Sequence, residues 1–222
     1  MTAPPPFTVV RTEEKMADEL AALQAACFPT LAPAQRIGAE HYRAHVRVFP
    51  EGQHVVIEKA TGRIVAASTD FRTTIDFHHY QHRYIDAVGG NWLTTHQPAG
   101  DWLYGADVGV HPDFRRRGLA TLLYGERQAL CRRLGLRGHV EGAMPRGYHF
   151  FRDTMPIEGY VARVVRGEID DPTLTVQLRR GYQVYGMMPD YLEDPSCANY
   201  GVFVVWRSGT LEKGGPREVA HE

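Results

Sequence analysis

The chain has 222 residues, of which 43% are hydrophobic and 23% charged, with a formal net charge of -1. This length suits one substantial hydrophobic core and is marginal for two, and the charge balance excludes a chain built to wrap nucleic acid. No apolar run approaches the ~20 residues of a membrane span. Met1 to Pro6 lacks the basic and apolar regions of a secretory leader, so a cytoplasmic location is the default expectation. Cys27, Cys131 and Cys197 are widely spaced, with no CxxC pair. They argue against a disulfide framework or a cysteine zinc site; Cys131 reads as core, and so does Cys197 at the start of a strand.

In chain order, Phe7 to Val10 is a short apolar strand after a proline-rich lead. Thr12 is a candidate N-cap for a helix over Glu13 to Cys27, with Leu20 and Leu23 inward and Glu14 and Asp18 outward. A second helix spans Gln35 to Val48 and stops before Pro50. Val55 to Glu58 and Ile64 to Ser68 flank Gly62 as a hairpin. Residues 71–100 hold His78, His79, Tyr80, His82, Tyr84, Trp92 and His96 without clear periodicity. They read as a long irregular excursion off the sheet, with short helical turns, of the kind that covers a site or an interface. His78, His79 and His82 lack a carboxylate or cysteine at ligand spacing, so no metal is expected.

Trp102 to Val110 is a strand, and Arg117 to Leu134 a helix with Leu119, Leu122, Leu123 and Leu130 on its buried side. His139 to Ala143 is a strand, Met144 to Tyr148 a loop, and Met155 to Val165 a helix with Pro156 near its first turn. Thr173 to Arg180 is a helix with Asp171 as candidate N-cap and Gly181 as candidate C-cap. Tyr182 to Met187 and Asn199 to Trp206 form a final antiparallel pair. The expected organisation is one α/β domain over residues 1–208, with 71–100 as an insertion and 209–222 as a frayed tail.

Chemistry concentrates in Val110-His-Pro-Asp-Phe-Arg-Arg-Arg-Gly-Leu-Ala120. An apolar strand, a tight turn and an Arg/Gly cluster lead there into a helix. This places the free N–H groups of Arg116, Arg117, Gly118, Leu119 and Ala120 and the charge of Arg115 together at a helix N-terminus. The physics leaves two readings open, a phosphate cradle or a solvated helix start. A bulge or strand separation near Gly109 would free the backbone of Val108, Gly109 and Val110 for a ligand's amides.

The same string resembles the acetyl-CoA-binding motif of the Gcn5-related N-acetyltransferase (GNAT) superfamily, with Arg115, Gly118 and Ala120 in its three defined places. Phe49-Pro-Glu-Gly-Gln53, Met144-Pro-Arg-Gly-Tyr148, Asp171 to Gly181 and Gly186-Met-Met-Pro-Asp-Tyr191 extend the similarity across roughly residues 10–207. They resemble the acetyltransferase-like domains that precede a carbon–nitrogen hydrolase domain in some bacterial proteins, of which this chain looks like a free-standing version. The resemblance implies a mixed, mostly antiparallel sheet of about seven strands with helices on both faces. In its splayed centre Val108 to Val110 would hold the pantetheine of acetyl-CoA, and Arg115 to Thr121 its pyrophosphate. It implies N-acetyl transfer to a small-molecule amine or peptide amino group, with no metal.

Candidates for proton transfer are Glu141 and Asp107 on the central strands, with Tyr148 and Tyr191. Asp107 reads either as base or charge anchor, or as a paired structural group. The family's usual general-acid tyrosine falls at Gln177, which is not an acid; a catalytically weak CoA-binding or regulatory module is therefore the alternative. The excursion and Tyr200 to Trp206 are aromatic enough either for a homodimer contact or for packing within the monomer.

Overall fold

Strand-forming runs rich in Val, Ile, Phe and Trp assemble one seven-stranded sheet in the computed structural model, which describes residues 6–209. The strands are β1 (Phe7–Arg11), β2 (Gln53–Glu58), β3 (Ile64–Thr73), β4 (Trp102–Val110), β5 (Gly138–Ala143), β6 (Gln183–Met188) and β7 (Gly201–Arg207). They lie in the order β1-β2-β3-β4-β5-β7-β6. Neighbours are antiparallel except β4 and β5, which run parallel and are joined by a helical crossover. This is the mixed, mostly antiparallel sheet expected from the sequence. The proline-rich lead before Pro6 and all of the tail after Gly209 lie outside the described residues.

Helices cover both faces. On one face α1 (Ala17–Cys27) lays Leu20, Leu23 and Cys27 on Val55 and Ala67, and α2 (Ala39–Val48) adds Tyr42. That apolar spacing is the one that puts side chains on a single helical stripe. The other face carries α4 (Leu119–Arg133), whose Leu119 and Leu123 pack on Val56, Val65 and Ala66. The remaining helices are α3 (Tyr84–Ala87), α5 (Ile157–Val165) and α6 (Leu174–Arg179).

Several boundaries differ from the sequence reading, each for a local reason. A 3-10 turn at Glu14–Met16 precedes α1 and is capped from Glu13, not Thr12. Another at Pro33–Gln35 precedes α2, which begins only after His41 Nδ1 accepts the Gly38 N–H at 3.0 Å. Cys197 is buried as expected, but in a turn at Pro195–Cys197; the left-handed Ala198 and Asn199 then delay β7 to Gly201. Asp171 does cap α6, its Oδ1 accepting the Thr173 and Leu174 N–H groups at 2.8 Å each. Leu122 is 42% exposed, and the buried stripe of α4 instead runs through Arg127.

The excursion is also different in kind. β3 continues to Thr73, and residues 74–101 fold back onto the sheet, with a turn at Phe77–His79 and the short α3. Phe77 and Tyr80 pack on Phe203, and the Tyr84 N–H donates to the Tyr191 carbonyl at 2.6 Å. Asn91, 1% exposed, ties Tyr84 to the backbone of Gln35 and Arg36. The aromatic rings of the excursion and of β7 are thus largely consumed within the chain; Trp92 stays 46% exposed.

Arg127 is fully buried. Its guanidinium meets the Asp70 carboxylate at 3.0 Å and the Glu141 carboxylate at 2.8 Å, and it donates to the Asp107 carbonyl. His139 bonds Asp70 at 2.9 Å and Tyr182 at 2.9 Å, completing a buried polar cluster. Burial opposes the charge on Arg127, but Asp70 and Glu141 overcome it and hold its pKa above the ordinary value. Arg127→Met removes the cation and leaves two buried carboxylates facing each other. It should cost about 3–5 kcal/mol in urea unfolding, and a loss below 1 kcal/mol would show the cluster to be dispensable.

Candidate active site

The parallel pairing of β4 with β5 runs from Trp102 opposite Gly138 to Gly105 opposite Glu141 and then stops. The β3–β4 register shifts at the same level, Asp70 facing Gly105 and Thr69 facing Asp107, so Ala106 is the bulged residue. A bulge turns the strand and raises its twist. Beyond it β4 stays with β3 through Val110, while β5 stays with β7 through Ala143. A wedge therefore opens between the strands along Val108, Gly109 and Val110. The opening starts at Ala106, three residues earlier than the Gly109 expected from sequence.

At the wide end of the wedge, Arg116 has φ +60° and Gly118 φ +77°, both left-handed. They keep α4 from starting before Leu119, two residues later than Arg117. Among the described residues no acceptor takes the N–H groups of Arg116 to Thr121. Alternating backbone hands point such groups into a concave nest for anions, and the helix dipole of a 15-residue α4 adds to it. No heavy atom lies within 4 Å of where a Cβ on Gly118 would be, so the cradle is open. Arg115, Arg116 and Arg117 are exposed around it; Arg117 lies 4.8 Å over the Phe114 ring and Arg115 reaches the Val110 carbonyl at 3.4 Å.

At the narrow end a cavity of about 50 Å³ is lined by Gln24 and Phe28 of the α1 region, Tyr84 of α3, Asp107 of β4, Met144 and Tyr191. Asp107 is its carboxylate. Burial is the largest influence on it, raising its pKa from an ordinary 3.8 to about 7; Arg127 pulls the other way and Asp70 reinforces the rise. A carboxyl that titrates near neutrality in a buried position is suited to accept a proton at working pH. The Tyr42 phenol is pushed well above its ordinary range, by burial and then by the Asp107 charge.

The structure separates the other candidates. Glu141 is 4% exposed and does not line this cavity; one oxygen meets Arg127 at 2.8 Å and the other accepts from Gln177 Nε2 at 2.8 Å. Gln177 thus satisfies a buried carboxylate and faces the α4 side. Tyr148 lies outside the cavity as well, donating to the Met155 carbonyl at 3.2 Å and packing on Tyr160 and Tyr200. Tyr191 joins Asp107 at the cavity wall, its ring so close to Gly142 that a Cβ there would lie 2.2 Å from Cζ. Gln24, Phe28 and Tyr84 also line the cavity and carry no local sequence motif, since the α1 region and α3 meet there only in the fold. Among the described residues no three metal-ligating side chains cluster, and no helix is long and apolar enough to cross a membrane.

A model of the acetyltransferase (GNAT) family matches residues 17–152, more than half of the chain. The chain belongs to that family. It is 33% identical over 197 residues to the "Probable hydrolase YhcX" of Bacillus subtilis (strain 168), a match covering 88% of this chain and 37% of that protein. This chain therefore spans little more than a third of that relative. The "Uncharacterized N-acetyltransferase YkwB" of the same organism is 28% identical over 208 residues, 93% of this chain and 91% of the relative. Among solved structures, the loading GNATL domain of CurA from Lyngbya majuscula superposes with a TM-score of 0.77 at 19% identity, covering 91% of this chain and 98% of that one. The GphF GNAT-like decarboxylase in complex with isobutyryl-CoA gives 0.73 at 22% identity, covering 90% and 99%. These two establish the shared fold.

The raised Asp107 carboxyl carries a sign for stability. Between 3.8 and about 7 the folded state holds the proton that the unfolded chain has released. Stability contributed by this group therefore falls as pH rises through that window. Asp107→Asn should gain in melting temperature relative to wild type as pH is raised across it, read by thermal scans at fixed ionic strength. A difference that stays constant with pH would show an unshifted carboxyl.

Proposed function

We propose that the protein is an acetyl-CoA-dependent N-acetyltransferase acting on a small-molecule amine or a peptide amino group. The observation that carries this reading is the wedge between β4 and β5, with acceptor-free amides at its wide end and a buried carboxylate at its narrow end. The amides of Arg116 to Thr121 suit the pyrophosphate, with Arg115 and its neighbours adding positive charge. The β5-facing edge of β4 along Val108 to Val110, which has no partner strand beyond Gly105, suits the amides of the pantetheine arm, as an added strand would. This directs the thioester toward the Asp107 cavity.

Asp107 as carboxylate takes a proton from the arriving ammonium and leaves a neutral amine, the form able to attack the thioester carbonyl. The cavity is small and mostly apolar, so it favours a slender aliphatic amine over a bulky one and keeps water from competing. The family assignment and the named likeness to an N-acetyltransferase support the same chemistry.

Steady-state release of CoA thiol from acetyl-CoA over a panel of amines tests the transfer. Tight CoA binding without turnover across a wide panel would favour the binding-module alternative. Asp107→Asn should lower kcat/KM by about 10²–10⁴-fold, and the wild-type rate should rise through pH 7 as the carboxyl ionises, a limb absent in the variant. Gly118→Glu should weaken CoA binding by at least about tenfold, because a carboxylate would enter the anion nest and its Cβ would strain a left-handed backbone. Calorimetry with CoA measures this, and unchanged affinity would place the pyrophosphate elsewhere.

A further inference from the structure

A line of hydrogen bonds leaves the Asp107 cavity through its Tyr191 wall. The Tyr191 and Tyr104 hydroxyls are 3.0 Å apart, and the Tyr104 hydroxyl is 2.7 Å from His82 Nε2. His82 Nδ1 lies 2.7 Å from the Tyr80 carbonyl. Both tyrosines are 2% exposed, whereas His82 is only partly buried. It lines a second cavity of about 310 Å³ beneath the excursion, together with Asp76, His79 and Tyr104. The three groups therefore connect the closed end of the wedge to a solvent-sized chamber.

The chemistry of the end groups fixes the direction of the line. A carbonyl oxygen can only accept, so His82 Nδ1 carries the hydrogen and, in the neutral ring, Nε2 is the acceptor. Burial lowers the His82 pKa, with the Tyr80 carbonyl and the Asp86 charge opposing, which keeps the resting ring neutral. Tyr104 then donates to His82, and Tyr191 donates to Tyr104. With its hydrogen committed in this way and the Gly142 N–H donating to its oxygen, the phenol keeps one lone pair for the cavity. The Tyr191 main chain is held at both ends, its N–H by the Asn199 carbonyl at 2.9 Å and its carbonyl by Tyr84.

We propose that Tyr191, Tyr104 and His82 form a proton relay that takes the second proton of the amine during acyl transfer and returns it to the departing sulfur. The inference rests on the transfer reading above. Attack of the neutral amine on the thioester carbonyl forms the C–N bond and gives a tetrahedral adduct with a cationic nitrogen and an oxyanion. That nitrogen passes a proton to the Tyr191 oxygen as the Tyr191 hydrogen moves to Tyr104 and the Tyr104 hydrogen to His82 Nε2. His82 becomes imidazolium. Collapse of the oxyanion reforms the carbonyl and breaks the C–S bond; the thiolate takes the proton of Tyr191, and the line shifts back. The amine proton ends on CoA sulfur, His82 is neutral again, and no outside acid is consumed. Tyr191 is the member that touches substrate, and Tyr104 and His82 act through it. The relay answers the absence of an acid at Gln177, and it makes the excursion a working part of the site.

Nitrogen-15 NMR of the imidazoles tests the polarity without turnover. His82 should be the Nδ1–H tautomer, with an Nε2 shift that moves toward that of a non-bonded ring nitrogen in Tyr104→Phe. A protonated Nε2 in the neutral protein would overturn the relay. In kinetics, Tyr104→Phe removes one hydroxyl and no packing, and should lower kcat about a hundredfold with both KM values unchanged. His82→Ala should show the same loss, with imidazole added to the medium restoring rate through the 310 Å³ cavity. Unchanged kcat in Tyr104→Phe, or a rise in KM alone, would reduce the line to a structural one. A wild-type protein that acetylates no amine would overturn the transfer reading itself, whereas the imidazole spectrum reports on the relay alone.

Discussion

The Arg127 guanidinium occupies the level at which β4 parts from β5, and the shape of the cleft follows from that placement. The bulge at Ala106 takes the Asp107 carbonyl out of regular pairing, and Arg127 supplies the donor it lacks. A buried cation is costly alone, so Asp70 on β3 and Glu141 on β5 neutralise it and are held in turn by His139 and Gln177. One side chain thus ties together three strands across the splay. It belongs to α4, the helix whose other end presents the open amides, so the anion cradle and the carboxylate end of the wedge share a rigid connection.

That arrangement explains how two carboxylates on adjacent central strands come to have separate parts. Glu141 points to the α4 face, where a guanidinium and an amide use both of its oxygens. Asp107 gives Arg127 only its backbone carbonyl and keeps its side chain at the cavity, where burial lifts its pKa to about 7. Residue type is the same in kind, and environment alone sets the difference. The excursion adds a further layer: by packing on Phe203 and bonding the Tyr191 backbone, it closes the cavity and brings His82 to Tyr104.

Much of the architecture was legible because it depends on short-range rules. Period-two and period-3.6 patterns locate the strands and the longer helices, and Asp171 caps α6 as its place before the helix implies. The errors fell where tertiary contacts override local preference. Leu122 continues an apolar run and so reads as core, yet the stripe passes through Arg127, whose burial depends on carboxylates from two other strands. The excursion lacked periodicity because its order comes from single contacts, such as Asn91 to Gln35 and Arg36, rather than from a repeating face.

The sequence by itself determined the strand–turn–helix segment from Val108 to Thr121, since a left-handed glycine, a helix start and a preceding strand are properties of neighbouring residues. The mixed sheet is what the family resemblance implies, and the order of the elements agrees with it. Tertiary structure alone decided that the strands part at Gly105 and Glu141, that Asp107 faces the cavity while Glu141 is engaged beneath, and that His82, Tyr104 and Tyr191 meet. Those outcomes depend on side chains that are distant in the chain and on burial that no segment can produce alone. Local sequence specifies backbone conformation, but the titration and hydrogen-bond direction of a polar group are set by what folding brings against it.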